Sequence, residues 1–333
     1  MRGETSRPTG IPAGVPYGAA ITSQALFDLG LVGAYRTHCK LLVPEFEMKW
    51  DHLAPTADHE NWQAMDRLLG FADSIGAGMR GHTLWWHGAI PAWVEPEAGN
   101  FATLALSHLE TTVRRLAGRM HSWDVINEVL APEDGRPDGL RNTPFLRAFG
   151  PGLIREAFHR AAEMDGARQA MLVLNETGLE YGGSAAETKR RCMLRLLERE
   201  LAAGTPIGCL GLQSHLDAMD NPGGGAEFRA FLREVADLGV PIMITELDVS
   251  DTGCPNDIAV RDRIVADAYR AFLDTVIVQA VPLAVVTWGL SDRQSWLAHA
   301  RPRADGAPVR PLPLDSKLGS KIAMTALQDA LRS

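Results

Sequence analysis

Two glutamates stand at the ends of short apolar segments in this sequence. Glu128 closes Trp123-Asp124-Val125-Ile126-Asn127-Glu128, and Glu246 lies within Ile244-Thr245-Glu246-Leu247-Asp248. A carboxyl pair suits cleavage of a glycosidic bond: one protonated carboxyl delivers a proton to the leaving oxygen, and one ionised carboxylate attacks or activates water. Trp86, Trp288 and Trp296 offer flat apolar faces on which sugar rings stack, while Asn127, His82, Gln213 and Lys49 can hydrogen-bond hydroxyl groups. A lone glutamate at a strand end is ordinarily a loop salt-bridge partner, so the pairing is what carries the chemistry. His82, His87, His121 and His215 could serve as zinc ligands, but an H-x-H on the first strand and a carboxylate bridge are missing. Hydrogen-bonding histidines fit better, and no metal is expected. Among the tryptophans, Trp50, Trp62 and Trp123 read as core. Lys189-Arg190-Arg191 falls in a helical pattern and reads as a solvated face.

The elements that must position these groups alternate along the chain. Apolar runs recur at Tyr17 to Ile21, Lys40 to Val43, Gly78 to Leu84, Ser122 to Ile126, Ala170 to Leu174, Gly208 to Gln213, Pro241 to Thr245 and Leu283 to Thr287. Between them, helical spacing predicts helices over Asp58 to Ile75, Leu104 to Leu116, Phe145 to Met164, Ala185 to Leu201, Ala226 to Leu238 and Ile258 to Val278. Eight such β/α units fit a closed α/β fold, a (β/α)8 TIM barrel, as one catalytic domain over 1–333 with an irregular segment at 1–15. A doubly wound sheet is the alternative, but no G-x-G-x-x-G follows an early strand. In a barrel the C-terminal strand ends meet at one mouth, and the fourth and seventh strands face each other across it. That places Glu128 opposite Glu246 and collects Glu45, His82, Trp86, Gln213, His215 and Trp288 beside them.

The chain has 333 residues, of which 46% are hydrophobic and 22% charged, enough to build a sizeable core and unlike a disordered chain. Acidic residues outnumber basic ones by 41 to 33, giving a net charge of −8, and no long Lys/Arg cluster occurs. Nucleic-acid and anionic-membrane partners are therefore not expected. No apolar run is long enough to span a bilayer, and Met1 to Pro16 does not read as a signal peptide. Cys39, Cys192, Cys209 and Cys254 lack C-x-x-C spacing and read as free thiols.

Taken together, Gly81-His82-Thr83-Leu84 with Trp86-His87, Trp123 through Glu128, Gly211-Leu212-Gln213-Ser214-His215, Ile244 through Asp248 and Trp288-Gly289-Leu290-Ser291-Asp292 resemble glycoside hydrolase family 10. Those are retaining endo-β-1,4-xylanases on a (β/α)8 barrel. The resemblance runs from Tyr17-Gly18-Ala19-Ala20 through Glu45 and Met48-Lys49-Trp50 to Leu312-Pro313-Leu314-Asp315. It implies that Glu128 is the general acid/base and Glu246 the nucleophile. Asn127 would hold the sugar 2-hydroxyl and His215 would hydrogen-bond Glu246. Glu45, Lys49, His82, Trp86 and His87 would line the glycone side, with Trp288 and Trp296 stacking on or capping the sugars. Retention implies carboxyl groups about 5 to 5.5 Å apart, against roughly 6.5 Å or more for inversion. No cofactor is implied, the partner would be a polysaccharide or oligosaccharide, and a monomer acting outside the cytoplasm or in the periplasm would suffice.

Three positions depart from the family's usual pattern. Phe46 replaces an Asn that binds the sugar two places before the cut. Ala89 replaces a Gln that crowds the space near C5, and Thr177 replaces a Tyr on the aglycone side. Ala89 raises the expectation that a hexose backbone or decorated exopolysaccharide could enter. A catalytically silent sugar-binding barrel is the alternative from another class, disfavoured because both glutamates are present.

Overall fold

Eight apolar segments form eight parallel strands: β1 (Tyr17–Ile21), β2 (Leu41–Pro44), β3 (Gly78–Gly81), β4 (Ser122–Asn127), β5 (Met171–Glu176), β6 (Cys209–Leu212), β7 (Ile242–Ser250) and β8 (Val285–Thr287). Each pairs with the next, and β8 returns to β1 through Tyr17 opposite Val285, so the sheet closes into a barrel. This computed structural model describes residues 14–97, 99–166, 170–220 and 223–332. The irregular stretch expected at 1–15 lies, apart from Gly14 and Val15, outside the described residues.

Alternation along the strands builds two cores. Inside the barrel pack Ala20, Val43, Val173, Cys209, Met243 and Val286, while Ala19, Leu42, Leu174, Leu210, Ile244 and Val285 face the helices. Trp50, Trp62 and Trp123 belong to the outer core, as expected. All four cysteines are free and buried.

The helices follow local signals. Asp28 caps Leu29–His38 by accepting from the amides of Gly30 and Leu31, and Thr143 and Asp257 do the same for Pro144–Phe149 and Ile258–Gln279. Where one helix was expected over Phe145 to Met164, Gly150-Pro151-Gly152 breaks it into Pro144–Phe149 and Leu153–Asp165. The helix expected from Asp58 begins only at Gln63. Among the described residues four helices lie outside the expected set: the one-turn Trp50–Leu53 and Leu297–Ala300, and the longer Leu29–His38 and Ile322–Arg332, the last of which packs on Ile258–Gln279.

Two irregularities matter for the site. Between β4 and β5, Asp124 pairs with Val173 but Ile126 with Leu174, so Val125 is an extra residue. Between β7 and β8, Ile244 pairs with Val285 but Leu247 with Thr287, which again gives one strand an extra residue. A bulge flips the faces of every residue beyond it. Trp123, Val125 and Ile126 all pack in the outer core, and Asn127 therefore turns into the barrel. On β7 the shift lets Thr245 and Glu246, adjacent in sequence, both point inward.

Candidate active site

Glu128 follows β4 directly and takes a left-handed backbone conformation, φ +59°, unusual for a residue with a side chain. Its amide donates to the Asn175 carbonyl at 2.9 Å, and its own carbonyl accepts from Arg141 Nε at 2.9 Å. Leu130, two residues on, donates its amide to Glu176 Oε2 at 2.9 Å. These bonds hold the turn and direct the carboxyl into the barrel mouth. There Glu128 accepts from Trp86 Nε1 at 3.0 Å and from Gln213 Nε2 at 3.1 Å, both neutral donors.

Glu246 meets a different environment. Its Oε1 accepts from Asn175 Nδ2 at 2.7 Å, and its Oε2 lies 3.2 Å from His215 Nε2, with His82 Nδ1 at 3.9 Å from Oε1. Burial by itself would raise this carboxyl. The His215 hydrogen bond, the His82 and His215 charges and the Asn175 bond outweigh it and carry the pKa down to about 2. His215 is in turn held by Asp248, whose Oδ1 lies 3.0 Å from Nδ1 and whose Oδ2 accepts from Trp296 Nε1 at 2.7 Å. Burial opposes a charged imidazole, but the Asp248 charge and hydrogen bond, with Glu246 beside them, raise His215 well above its usual 6.5. On the opposite wall His82 Nδ1 lies 2.9 Å from Asp124, which also pairs with the buried Arg80.

Asn175 ties the two carboxylates together. Its amide nitrogen donates to both Glu246 and Asn127 Oδ1, the latter at 2.8 Å, and its oxygen accepts from Thr245 Oγ1 at 2.7 Å. Gln213 completes the link by donating to Asn127 Oδ1 at 3.2 Å as well as to Glu128. Gly211 leaves the space for this cluster, since a Cβ there would stand 2.3 Å from Asn175 Oδ1.

These groups open into a cleft of about 420 Å³. On one side the Lys49 ammonium sits 5.0 Å from the centroid of Phe46, 4.9 Å from that of Trp86 and 6.0 Å from that of Trp288. Burial lowers the Lys49 pKa, opposed mainly by Glu246 and Glu45. Burial pushes neighbouring Glu45 up to about 7; Lys49 opposes the rise, and Glu47, Asp248 and Glu246 add to it. Among the described residues no cluster of three or more His, Cys, Asp and Glu side chains is arranged to hold a metal ion.

The cleft brings together Glu45, Phe46, Lys49, His82, Trp86, Asn127, Glu128, Thr177, Gln213, His215, Glu246, Trp288 and Trp296, all singled out in the sequence. Two expected members stand elsewhere. His87 lies in a small recess behind Glu128 with Arg141, and its Nδ1 is buried without a partner. Ala89 is 3% exposed and is not among the residues that line the cleft. A third expectation changes in part: of Lys189-Arg190-Arg191 only Arg191 is solvated. Lys189 pairs with the fully buried Glu176 at 2.9 Å, and the buried Arg190 donates to the carbonyls of Leu179 and Tyr181. Asp124, Asn175, Tyr181, Asp248 and Arg301 were not picked out as site residues. Tyr181, which donates to the His215 carbonyl, stands in the same wall as Thr177 and puts an aromatic ring where the strand-end sequence lacks one.

The sequence model of Glycosyl hydrolase family 10 matches residues 11–330. Endo-1,4-beta-xylanase 2 of Aureobasidium pullulans is 33% identical over 310 residues, covering 90% of this chain and 81% of that protein. Endo-1,4-beta-xylanase C of Paenibacillus barcinonensis is 31% identical over 353 residues, but this chain spans only 31% of its length. Among solved structures, the GH10 structure from Paenibacillus barcinonensis superposes with a TM-score of 0.82 at 31% identity, covering 95% of each chain. Xylanase B from Clostridium stercorarium F9 superposes with a TM-score of 0.83 at 28% identity, covering 95% of this chain and 97% of that one.

Proposed function

The chain belongs to glycosyl hydrolase family 10, and from that premise we propose that it is a retaining endo-β-1,4-xylanase with Glu246 as nucleophile and Glu128 as acid/base. One observation carries the assignment: two carboxylates share one cleft, joined through Asn175, Asn127 and Gln213, yet one is flanked by His82 and by His215, whose charged form is favoured, and the other by neutral donors. The first is held as a carboxylate by its partners and the second accepts from two neutral donors, which suits the division of labour that double displacement needs.

In the first step Glu246 attacks the anomeric carbon while the glycosidic C–O bond breaks and Glu128 transfers its proton to the departing oxygen. The glycosyl-enzyme ester leaves Glu246 uncharged. Glu128, now a carboxylate, takes a proton from water as that water attacks the same carbon and returns Glu246 to its ionised form. The geometry this requires is a carboxyl separation of about 5 to 5.5 Å. Asn127, held by Asn175 and Gln213, is placed to bind the 2-hydroxyl. Lys49, Glu45 and the three aromatic rings around Lys49 form the glycone side, while Thr177, Tyr181 and Arg301 face the aglycone. The two carboxylates complete the chemistry without a cofactor.

Xylan is favoured over a hexose backbone because the family's endo-1,4-beta-xylanases are among the relatives this chain matches. A polymeric substrate supports action outside the cytoplasm, and among the described residues no helix is long and apolar enough to cross a membrane. We read the protein as acting as a monomer, since the two carboxylates and the side chains that hold them belong to one closed barrel. The test is mass spectrometry of products from plain and decorated xylans, mixed-linkage glucan and a cellulose-backboned polysaccharide, with proton NMR of the first anomer released. Xylo-oligosaccharides released as the β-anomer are expected. Products from glucose backbones alone would overturn the substrate, and a first-formed α-anomer would overturn retention.

A further inference from the structure

Gln213, Ser214 and His215 form the turn after β6, and this turn aims the His215 ring at Glu246. Ser214 sits there in the left-handed region at φ +63°, a conformation that a residue with a side chain keeps only when its surroundings impose it. From one side the turn is held by β7, where His215 pairs with Asp248 and the Asp248 amide donates to the Ser214 carbonyl at 3.3 Å. From the other it is held by the segment after β5. The Gln213 amide donates to the Glu176 carbonyl at 3.0 Å, the Ser214 amide donates to Oε1 of the buried Glu180 at 2.7 Å, and the His215 carbonyl accepts from the Tyr181 hydroxyl.

That segment is itself anchored from behind. Lys189 pairs with Glu176, and Arg190 donates to the carbonyls of Leu179 at 2.9 Å and Tyr181 at 2.6 Å. Burial, and after it the neighbouring Glu180, raise the Tyr181 phenol, so the hydroxyl keeps the proton it donates. Three consecutive residues of the turn therefore each bond to one short segment, and the third of these bonds comes from a half-buried side chain that also lines the cleft.

We infer that Tyr181 is a positioning residue for Glu246: its hydroxyl fixes the backbone of His215, and with it the distance and angle at which the imidazole meets Glu246 and Asp248. The inference rests on the reading of Glu246 as nucleophile. Hydrogen bonds weaken steeply as their angle closes, so a small rotation at His215 costs both ring contacts, Nε2 to Glu246 at 3.2 Å and Nδ1 to Asp248 at 3.0 Å. The charged groups facing this ring are Glu246 and Asp248 from β7 and Glu180 from the segment after β5. Glu246 is faced in addition by His82 from the loop after β3 and by Glu45 and Lys49 from the loop after β2. None of these five other groups is bonded to the Tyr181 hydroxyl, so deleting that hydroxyl perturbs the His215 turn while leaving their own hydrogen bonds in place.

The experiment uses Tyr181→Phe, which keeps the ring and removes only the hydroxyl. On an aryl xyloside the acid limb of kcat/KM should move upward, in the same direction as in His215→Ala but by less, and activity on that limb should fall by about three- to tenfold, the worth of one hydrogen bond. In His215→Ala/Tyr181→Phe the limb should stay where His215→Ala leaves it, because the hydroxyl acts through the imidazole. A second readout needs no turnover. In NMR of the full chain at one pH, the His215 ring N–H protons, assigned by their loss in His215→Ala, should move upfield and exchange faster with water in Tyr181→Phe. An acid limb or a His215 signal that Tyr181→Phe leaves in place overturns the inference, even where the melting temperature falls, and so does a limb shifted equally with and without His215. If the wild type cleaves no xyloside, the reading of Glu246 as nucleophile fails by itself, and the NMR comparison alone then judges whether Tyr181 positions His215.

Discussion

Replacing His215 by Ala tests the electrostatic logic of Glu246, the proposed nucleophile. Glu246 is buried, and burial alone would hold it above the ordinary 4.5; instead its donors bring it to about 2. That difference of two to three pH units corresponds to about 3 kcal/mol favouring the carboxylate, at about 1.4 kcal/mol per unit. The largest favourable contribution is the His215 hydrogen bond at 3.2 Å. A hydrogen bond to a charged group is worth about 1.5–3 kcal/mol, so its loss should raise the Glu246 pKa by about one to two units. Asn175 and His82 remain to hold the rest. The acid limb of kcat/KM reports the free enzyme, and in His215→Ala it should move upward by that amount, toward the ordinary carboxylate range. In stability two contributions oppose: the depressed Glu246 stabilises the fold above pH 4.5 and loses that contribution as pH falls toward 2, while the raised His215 contributes in full below pH 6.5 and less above it, so unfolding at pH 3 and pH 7 reads their balance and the acid limb isolates the carboxyl. The assay is kcat/KM on an aryl xyloside between pH 3 and 8, with urea unfolding at both ends of the range. An acid limb that stays in place while kcat falls would refute the reasoning and leave His215 as a packing residue.

Other perturbations follow from the same geometry. Glu128→Ala should slow hydrolysis of xylan by about 10²–10⁴-fold, the usual worth of a general acid, but slow aryl glycosides with activated leaving groups far less in the bond-breaking step. Burst kinetics separate the two, and equal losses on both substrates would count against Glu128 as the proton donor. Glu45 titrates at about 7; below that it is neutral, above it an anion that accepts stronger hydrogen bonds. KM for oligosaccharides that reach it should therefore fall as pH rises through 7, and Glu45→Gln should flatten that dependence. Lys189→Met strips the counter-charge from Glu176, which has no exposed side-chain surface, and breaking such a buried pair costs about 3–5 kcal/mol. Because burial already raises Glu176, the deficit seen in urea unfolding should shrink as pH falls and the carboxyl becomes neutral.

Most of the barrel is legible in the sequence because each strand is an apolar run bounded by polar residues, and the helices between them repeat at helical spacing. The failures have local causes. Leu29–His38 carries two internal glycines and only two buried residues, Leu31 and Tyr35, so its amphipathic signal is faint. The helix Phe145 to Met164 keeps its periodicity across Gly150-Pro151-Gly152, and only the backbone chemistry of those three residues shows the break. β7 runs to Ser250, five residues past the end expected, because Glu246, Asp248 and Ser250 are polar and read as loop although all three are buried. Lys189 reads as a surface lysine because nothing local shows that Glu176, thirteen positions earlier, points at it.

The two bulges explain why the glutamate pair proposed as catalytic is legible while its geometry is not. Strict alternation from Trp123, which packs outward, would send Asn127 outward as well, and from inward-facing Met243 it would turn Glu246 away from the mouth. One extra residue on each strand reverses both outcomes, and neither Val125 nor the Thr245-Glu246 pair advertises it, since no glycine marks the spot. The same shift that turns Glu246 inward sets it beside Thr245, whose hydroxyl orients Asn175, whose amide then grips Glu246 and Asn127 together. Residue types at strand ends therefore reveal which chemistry is possible. The difference between the two glutamates arises from register, which gives Glu246 the histidines and leaves Glu128 with Trp86 and Gln213.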